Sequence, residues 1–304
     1  MKQLSTGAFQ SAQDWVLTYG RPLEQALFRL AFENGNRMEV FAEIERYQNE
    51  DGGFGNGLEP DFLTPASSSL ATSVALQRLL PFYDDREAQP IFRKAVRYLE
   101  STFDEERRGW YAVPKEVNDA PHAPWWAVND SGQSGIDDTW GNPNAELIGY
   151  MTLFESYSKR LNMDFLLEVA VQTFLQKEQF ESHELYSYMR LFATIPEVRS
   201  ESVEEQLVRG VQQTVHLSKE DWKNYVPTPL QFVPTPQSST YGIPERAIEE
   251  NLDHLIEQLE SEGVIRPTWS WGTDEDAWEQ SKQDWTGIRT IEALFTLHRY
   301  GRIA

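Results

Sequence analysis

Cysteine is absent from the 304 residues of this chain, which excludes disulfide bonds, thiolate ligands for zinc and a cysteine nucleophile. Long apolar runs are also lacking. No stretch approaches the roughly 18 residues that a membrane-spanning helix needs, and the first twenty residues hold no apolar segment of the secretory type. Hydrophobic residues still make up 40% of the chain and aromatic residues 12%, as in globular proteins. These features predict a cytoplasmic protein with no membrane span.

Positive charge is scarce. Lysine and arginine number 27 against 48 acidic residues, which gives a formal net charge of -21. A nucleic-acid backbone or an anionic membrane surface is repelled by such a protein over most of its surface. The charge therefore predicts no nucleic-acid partner. A small diphosphate ligand stays open, because a local cluster of donors overrides the global field at short range.

Strand-like alternation of apolar and polar residues is rare, and helical periodicity dominates. Apolar residues recur at three- and four-residue spacing in five clear segments, which predicts an all-α protein. Between the helices lie loops rich in Gly, Pro, Asn, Asp and Trp, notably 49–66, 109–143, 226–244 and 261–284. The five segments are Ile91 to Thr102, Phe165 to Phe174, Val203 to Val215, Ala247 to Leu259 and Trp285 to His298.

One pattern recurs along the chain: an amphipathic helix, a glycine and aromatic turn, then a helix rich in small residues. The clearest copy spans residues 40–80. Helix pairs that recur at tens of residues bury their apolar faces only against neighbouring pairs, so they stack or close into a ring. An inner ring of helices with small residues inside an outer ring of bulkier helices satisfies both halves of the pattern.

The turn itself carries a family resemblance. Gln48, the run Asp51-Gly52-Gly53-Phe54-Gly55 and the later Gly109-Trp110 resemble the repeat motif of squalene and hopene cyclases and of protein prenyltransferase β subunits. The resemblance implies an α/α toroid of roughly five to six helix pairs, as a single domain over residues 1–304 with a long loop insertion at about 109–143.

In physical terms this turn is predicted to be a joint between helices. Its glycines permit positive φ after the outer helix, Gln48 reaches free terminal carbonyls, and Phe54 covers the junction. A phosphate-binding loop needs a strand before the glycines and Lys-Ser/Thr after them. The sequence shows neither.

Resemblance to the cyclases also implies an acid that protonates an alkene, supplied by an Asp-x-Asp-Asp stretch. Crowded carboxylates raise the pKa of one member and make it a proton donor. Two strings in this chain carry part of that stretch, and their carboxylates are the catalytic candidates: Asp137 and Asp138 in GIDDTW, and Asp274 and Asp276 in TDEDAW. The other reading of these acids is that they are solvated loop residues.

No intact metal motif is present, so the cofactor is unknown. Synthases that ionise a diphosphate hold magnesium with Asp-Asp-x-x-Asp, and here the corresponding string ends in Gly141. Asp137, Asp138 and Glu146 are the residues that would share a magnesium ion. The zinc set of the prenyltransferases includes a cysteine, so this chain does not reproduce it.

The loop 119–146 is the strongest candidate site, because long loops with their own aromatic and polar character are commonly functional. It holds His122, Trp125 and Trp126 ahead of the two aspartates. In a toroid, repeat position places further residues around a common cavity with the four catalytic candidates: Glu59, Asp61, Asn142, Asn144, Trp269, Trp271, Asp284 and Trp285. Trp140 is a further candidate for ligand binding. The alternative is that Asn142 and Asn144 cap a helix, that Asp284 caps the last helix, and that the tryptophans fill the core.

Three functions stay open, and whether the chain is an enzyme stays open with them. The cavity holds an isoprenoid-like small molecule against aromatic walls that stabilise cations. Alternatively, it is a carbohydrate site in which tryptophans stack on pyranose rings and a carboxylate pair does acid and base work. In the third interpretation, a non-catalytic toroid binds a ligand or partner. The residues that line the cavity distinguish the isoprenoid from the carbohydrate interpretation, since a prenyl cavity is apolar and a sugar cleft is polar.

Overall fold

A computed structural model describes all 304 residues and shows an all-α protein without β-strands, as the periodicity predicts. None of its helices combines the length and the apolar character needed to cross a lipid bilayer. The twelve helices are α1 (Thr6–Tyr19), α2 (Pro22–Phe32), α3 (Arg37–Glu45), α4 (Ser69–Leu79), α5 (Gln89–Ser101), α6 (Gly141–Leu153), α7 (Met163–Leu175), α8 (Ser182–Thr194), α9 (Glu201–Thr214), α10 (Pro229–Phe232), α11 (Glu245–Glu262) and α12 (Glu275–Arg299).

All five periodic segments are helical, although not every apolar position in them is buried. In α5 the predicted stripe holds, because Ile91, Ala95 and Leu99 are all buried. In α7 it fails at Phe165, which is 45% exposed. The Arg108 guanidinium lies 5.6 Å from the centre of that ring, and the contact of a cation with the ring face gives this exposed aromatic a partner.

The last helix is longer than predicted. It begins at Glu275, not near Trp285, so the expectation that Asp284 caps it is wrong. The cap is Asp274, whose side chain accepts a hydrogen bond from the Ala277 amide at 3.4 Å. The added first turns bury few apolar side chains, and the sequence therefore shows no stripe there.

The chain divides into two compact units, whose boundaries fall within α3 and α9. We call Ile44–Gly210 the central unit, and Met1–Glu43 with Val211–Ala304 the terminal unit. In the central unit, α6 packs against both α4 and α8, α5 packs on α4, and α7 packs on α6. Helices α4, α6 and α8 therefore lie side by side, with α5 packed against α4 and α7 packed against α6.

The terminal unit joins both ends of the chain. Its first helix, α1, packs against α2, α11 and α12, and α10 packs on α11. The two chain ends pair through their backbones, where the Leu4 amide donates to the Arg302 carbonyl at 2.8 Å. The Arg302 side chain is buried and forms ion pairs with Glu249 and Asp253 of α11.

The glycine turn after α3 joins elements of the central unit. Gly52 has φ of +95°, as predicted for this joint. A Cβ on Gly52 would lie 2.4 Å from the Lys94 carbonyl oxygen, and one on Gly55 would lie 2.2 Å from the Ala66 carbonyl oxygen. Only glycine permits these approaches, since real Cβ atoms do not come so near to backbone oxygen.

Phe54 and Gln48 complete the turn. Phe54 is fully buried, as predicted. The Gln48 side chain donates to the carbonyls of Gly52 and of Ile91, at 3.0 and 3.1 Å, and so links the turn to α5. Gln48 was expected to meet the terminal carbonyls of the preceding helix, and it instead contacts a carbonyl of the turn itself and one of α5.

Gly52→Ala is expected to destabilise the protein by about 2–3 kcal/mol, because it adds a backbone clash to the cost of positive φ. Gly132→Ala provides the matched control. Gly132 also has positive φ, +83°, but no atom lies within 4 Å of its added Cβ, so a loss of only about 1 kcal/mol is expected. Urea unfolding of both variants measures the difference. Equal losses would show that the clash at Lys94 is relieved by local movement.

Candidate functional site

The residues predicted to surround one cavity are divided between the two units. In the central unit, the Asp137 carboxylate accepts hydrogen bonds from several groups of the long loop 109–143. Its carboxylate accepts from the Ala112 amide at 2.9 Å, and from the Ser134 amide and hydroxyl at 2.9 and 2.8 Å. The Arg107 guanidinium approaches it at 3.3 Å. These contacts make Asp137 a fastening point of the loop, while its neighbour Asp138 is exposed.

Trp140 and Asn144 also fasten this loop. The Asn144 side chain accepts from the Trp110 amide at 2.7 Å and donates to the Trp140 carbonyl at 2.6 Å. The Trp140 indole donates to the Arg107 carbonyl at 3.0 Å. Asn142 lies at the start of α6 with non-helical backbone angles, and its side chain lies 3.5 Å from the Ser187 hydroxyl. Neither asparagine acts as a simple N-cap.

A second group of predicted residues is brought together by pairing of two loops, residues 58–63 and 120–126, which we call the loop junction. The Ala123 amide donates to the Asp61 carbonyl at 2.8 Å, and the Leu63 amide donates to the Pro121 carbonyl at 2.9 Å. Phe62 and His122 pair across this contact. The backbone thus joins two loops that are far apart in the sequence, one with Glu59 and Asp61 and the other with the Trp125-Trp126 segment.

Acceptors and donors of several kinds meet at the loop junction. Glu59 and Asp61 are carboxylates with only 7% and 5% of their surface exposed. The His122 Nδ1 atom lies 2.7 Å from the Ala120 carbonyl, so Nδ1 carries the proton and Nε2 is the acceptor in the neutral ring. His122 itself is half-buried.

The two tryptophans of the junction differ in exposure. Trp126 is buried and packs edge-on against Phe62, with 5.1 Å between ring centres, and its indole N–H has no hydrogen-bond partner. Trp125 is half-buried. A buried donor that no protein group accepts from is available to an acceptor on a ligand. The junction therefore offers carboxylates, an imidazole acceptor, an indole donor and an aromatic surface in one place.

Polar side chains of α4, α6 and α8 contact one another at Glu146. Glu146 of α6 is buried and accepts from the Gln77 amide of α4 at 3.1 and 3.2 Å. Arg190 of α8 approaches the same carboxylate at 3.1 Å, and the Arg190 side chain is 42% exposed. The group opens to solvent through Arg190. We call Gln77, Glu146 and Arg190 the three-helix cluster.

Tyr150 completes the surroundings of Glu146. Its hydroxyl donates to Glu146 at 3.3 Å. Burial raises the pKa of Tyr150 well above its usual range, and the neighbouring Glu146 carboxylate raises it further, so the hydroxyl remains a donor. Sequence reasoning considered Glu146 only as a metal ligand, and it missed Gln77 and Arg190.

In the terminal unit, three aromatic side chains form a continuous row. The ring centres of Tyr225 and Trp269 are 4.9 Å apart, and those of Trp269 and Trp285 are 5.1 Å apart in an edge-to-face contact. Tyr225 is 55% exposed and both tryptophans are half-buried. Trp271, by contrast, is buried against Trp278 and belongs to the core. We call Tyr225, Trp269 and Trp285 the aromatic row.

Next to the aromatic row along α12 lies Asp284. Burial raises the pKa of this carboxyl to about 6, although Arg21 and a hydrogen bond from Gln280 act to lower it, and Glu24 raises it. Arg21 is bonded to the buried Glu24 carboxylate by two hydrogen bonds, of 2.7 and 2.9 Å. The other candidate acids of this unit, Asp274 and Asp276, are exposed.

No group of three or more His, Asp or Glu side chains in the chain is arranged to hold a metal ion. Asp137, Asp138 and Glu146, the residues considered for magnesium, therefore form no such group. The comparisons with known proteins add no relative: no family model, no curated protein and no solved structure matches the chain. The geometry of the residues themselves is consequently the basis for inferring function.

Proposed function

We propose that this chain binds a carbohydrate-class ligand at the loop junction of the central unit. The observation that carries the proposal is that backbone pairing joins the loop that holds the buried Glu59 and Asp61 to the loop that holds His122, Trp125 and a Trp126 indole N–H without a partner. Carboxylates accept hydrogen bonds from sugar hydroxyls, an indole N–H donates to them, and an aromatic face packs on the apolar face of a pyranose ring.

The three-helix cluster favours a polar ligand over the isoprenoid-like ligand that the family resemblance implies. A prenyl chain needs an apolar wall, whereas α4, α6 and α8 meet around Gln77, Glu146 and Arg190. A hydrocarbon chain placed against this cluster would cost the hydration of the exposed Arg190 guanidinium without any compensating bond. A hydroxylated ligand does not carry that cost.

The arrangement that we propose for the helices is the α/α toroid, with odd-numbered helices outside and even-numbered helices inside. Support comes from the central unit, where α4, α6 and α8 pack side by side while α5 and α7 pack on α4 and α6. The burial pattern agrees, because every residue of α6 from Gly141 to Met151 is buried. The proposal of carbohydrate binding does not depend on closure of the ring.

Thermal unfolding with a panel of mono- and oligosaccharides tests the proposed function, with farnesyl diphosphate and magnesium as the comparison. A ligand at one hundred times its Kd stabilises the folded state by about 2.7 kcal/mol, which raises Tm by a few degrees. We expect such a shift with a sugar. A shift with farnesyl diphosphate alone would reject the carbohydrate proposal in favour of the isoprenoid ligand, and no shift with any sugar would contradict it.

The site is tested by removing its groups one at a time. Trp125→Ala and Asp61→Asn are each expected to weaken sugar binding by at least about tenfold, since one removes the aromatic surface and the other an acceptor. Asp84→Asn changes an exposed aspartate of the same unit and is expected to leave binding unchanged. Because Asp61 is buried, its variant is compared at equal folded fraction. Full binding by Trp125→Ala and Asp61→Asn would place the ligand elsewhere.

A further inference from the structure

The aromatic row and Asp284 form a group that the carbohydrate proposal does not use. Asp284 and Trp285 are neighbours on α12, and Trp285 contacts Trp269, which contacts Tyr225. More than half of Tyr225 is exposed, and both tryptophans are partly exposed. Asp284 therefore adjoins in sequence one end of a run of three partly exposed aromatic rings.

The charges around this group leave it acidic. Arg21 is the basic residue near Asp284, and its guanidinium is bonded through two nitrogens to Glu24, so the two carboxylates share one positive charge. The polar side chains on this part of α12 are engaged as well, because Gln280 donates to Asp284 at 3.0 Å and Gln283 donates to the Tyr19 carbonyl at 2.9 Å.

We infer that Asp284 and the aromatic row bind an organic ammonium ion, a primary or quaternary amine with small alkyl substituents. The faces of tryptophan and tyrosine attract a cation through their electron-rich rings, and a carboxylate supplies the counter-charge. A sugar fits this group less well, because its several hydroxyls need several polar partners. The overall charge of -21 also draws cations to the protein.

The pH dependence of binding follows from the carboxyl group. The pKa of Asp284 is raised to about 6, mainly by burial, so the carboxylate that attracts the cation is formed as the pH rises through about 6. The charged groups that face it are Arg21, which directly precedes α2, and Glu24 of α2, and these two side chains are bonded to each other. At pH 5 about one tenth of the Asp284 groups are ionised, so ammonium binding is expected to weaken by up to about tenfold between pH 7.5 and pH 5.

Titration with choline at constant ionic strength, followed by tryptophan fluorescence and calorimetry, tests the inference. The comparison ligand is 3,3-dimethylbutan-1-ol, which has the shape of choline without its charge. We expect saturable binding of choline that is at least about tenfold tighter than binding of the neutral alcohol. Equal binding of the two compounds would overturn the inference, as would the absence of saturable choline binding.

Variants locate the site and separate it from the loop junction. Trp269→Ala and Tyr225→Ala are expected to weaken choline binding by at least about fivefold, whereas Tyr83→Ala, which removes a tyrosine that is 49% exposed in the central unit, leaves it unchanged. Asp284→Asn is expected to weaken binding and to abolish its pH dependence. Unchanged choline binding in Trp269→Ala and Asp284→Asn would overturn the assignment. The inference is independent of the proposed function, because Trp125→Ala is expected to leave choline binding intact.

Discussion

Replacing Glu146 by alanine is expected to lower the free energy of unfolding by about 3–5 kcal/mol, a large share of the stability of an ordinary domain. The Glu146 carboxylate is 1% exposed and accepts from α4 and α8 as well as from Tyr150 of its own helix. Removing it takes this acceptor away from the Gln77 amide and the Tyr150 hydroxyl, and it takes the buried carboxylate away from Arg190. Urea unfolding at neutral pH, followed by circular dichroism, measures the loss.

Glu204→Ala provides the control for this prediction. Glu204 forms an ion pair with Arg199 in the same unit, but its side chain is 41% exposed, so its removal is expected to cost about 0–1 kcal/mol. The contrast isolates burial, because both variants break one pair of glutamate and arginine. A loss below about 1 kcal/mol in Glu146→Ala would show that α4, α6 and α8 do not depend on the three-helix cluster.

The cluster also shows what the sequence was able to predict. Three helices of the central unit were predictable in type from their own residues, α4 from its small side chains and α5 and α7 from their apolar stripes, whereas α8 lies outside every predicted segment. The partners of Glu146 were not predictable, because Gln77 and Arg190 lie 69 and 44 residues away. Local periodicity contains no information about which polar positions on different helices meet.

The candidate site was predictable in part for a related reason. The loop around His122 and Trp125 was selected because it is long, aromatic and polar, and the structure does bring it against Glu59 and Asp61. That contact is made by backbone groups, which every residue possesses, so no side-chain motif in the sequence predicts it. Likewise the raised pKa of Asp284 arises from burial in the fold, while the sequence suggested a helix cap.

The second large effect is expected at Asp137. Asp137→Ala removes the acceptor shared by the Ala112 amide, by the amide and hydroxyl of Ser134, and by Arg107, and is expected to destabilise the protein by about 3–5 kcal/mol. Hydrogen exchange of the amides in residues 109–143 is expected to accelerate along with the global loss, since this carboxylate ties both ends of the loop. Asp138→Ala, at the exposed neighbour, is expected to change stability by less than about 0.5 kcal/mol.

A further variant, Asp137→Asn, decides between two interpretations of the Asp137-Asp138 string. As a catalytic acid, Asp137 would be replaceable by asparagine with its fold intact, because the two side chains have nearly the same shape. As the fastening point of the loop, it is not replaceable in that way, because the asparagine amide turns a donor toward groups that already donate. We therefore expect Asp137→Asn to lose most of the stability that Asp137→Ala loses. Full stability and unchanged amide exchange in Asp137→Asn would return this carboxylate to the catalytic candidates.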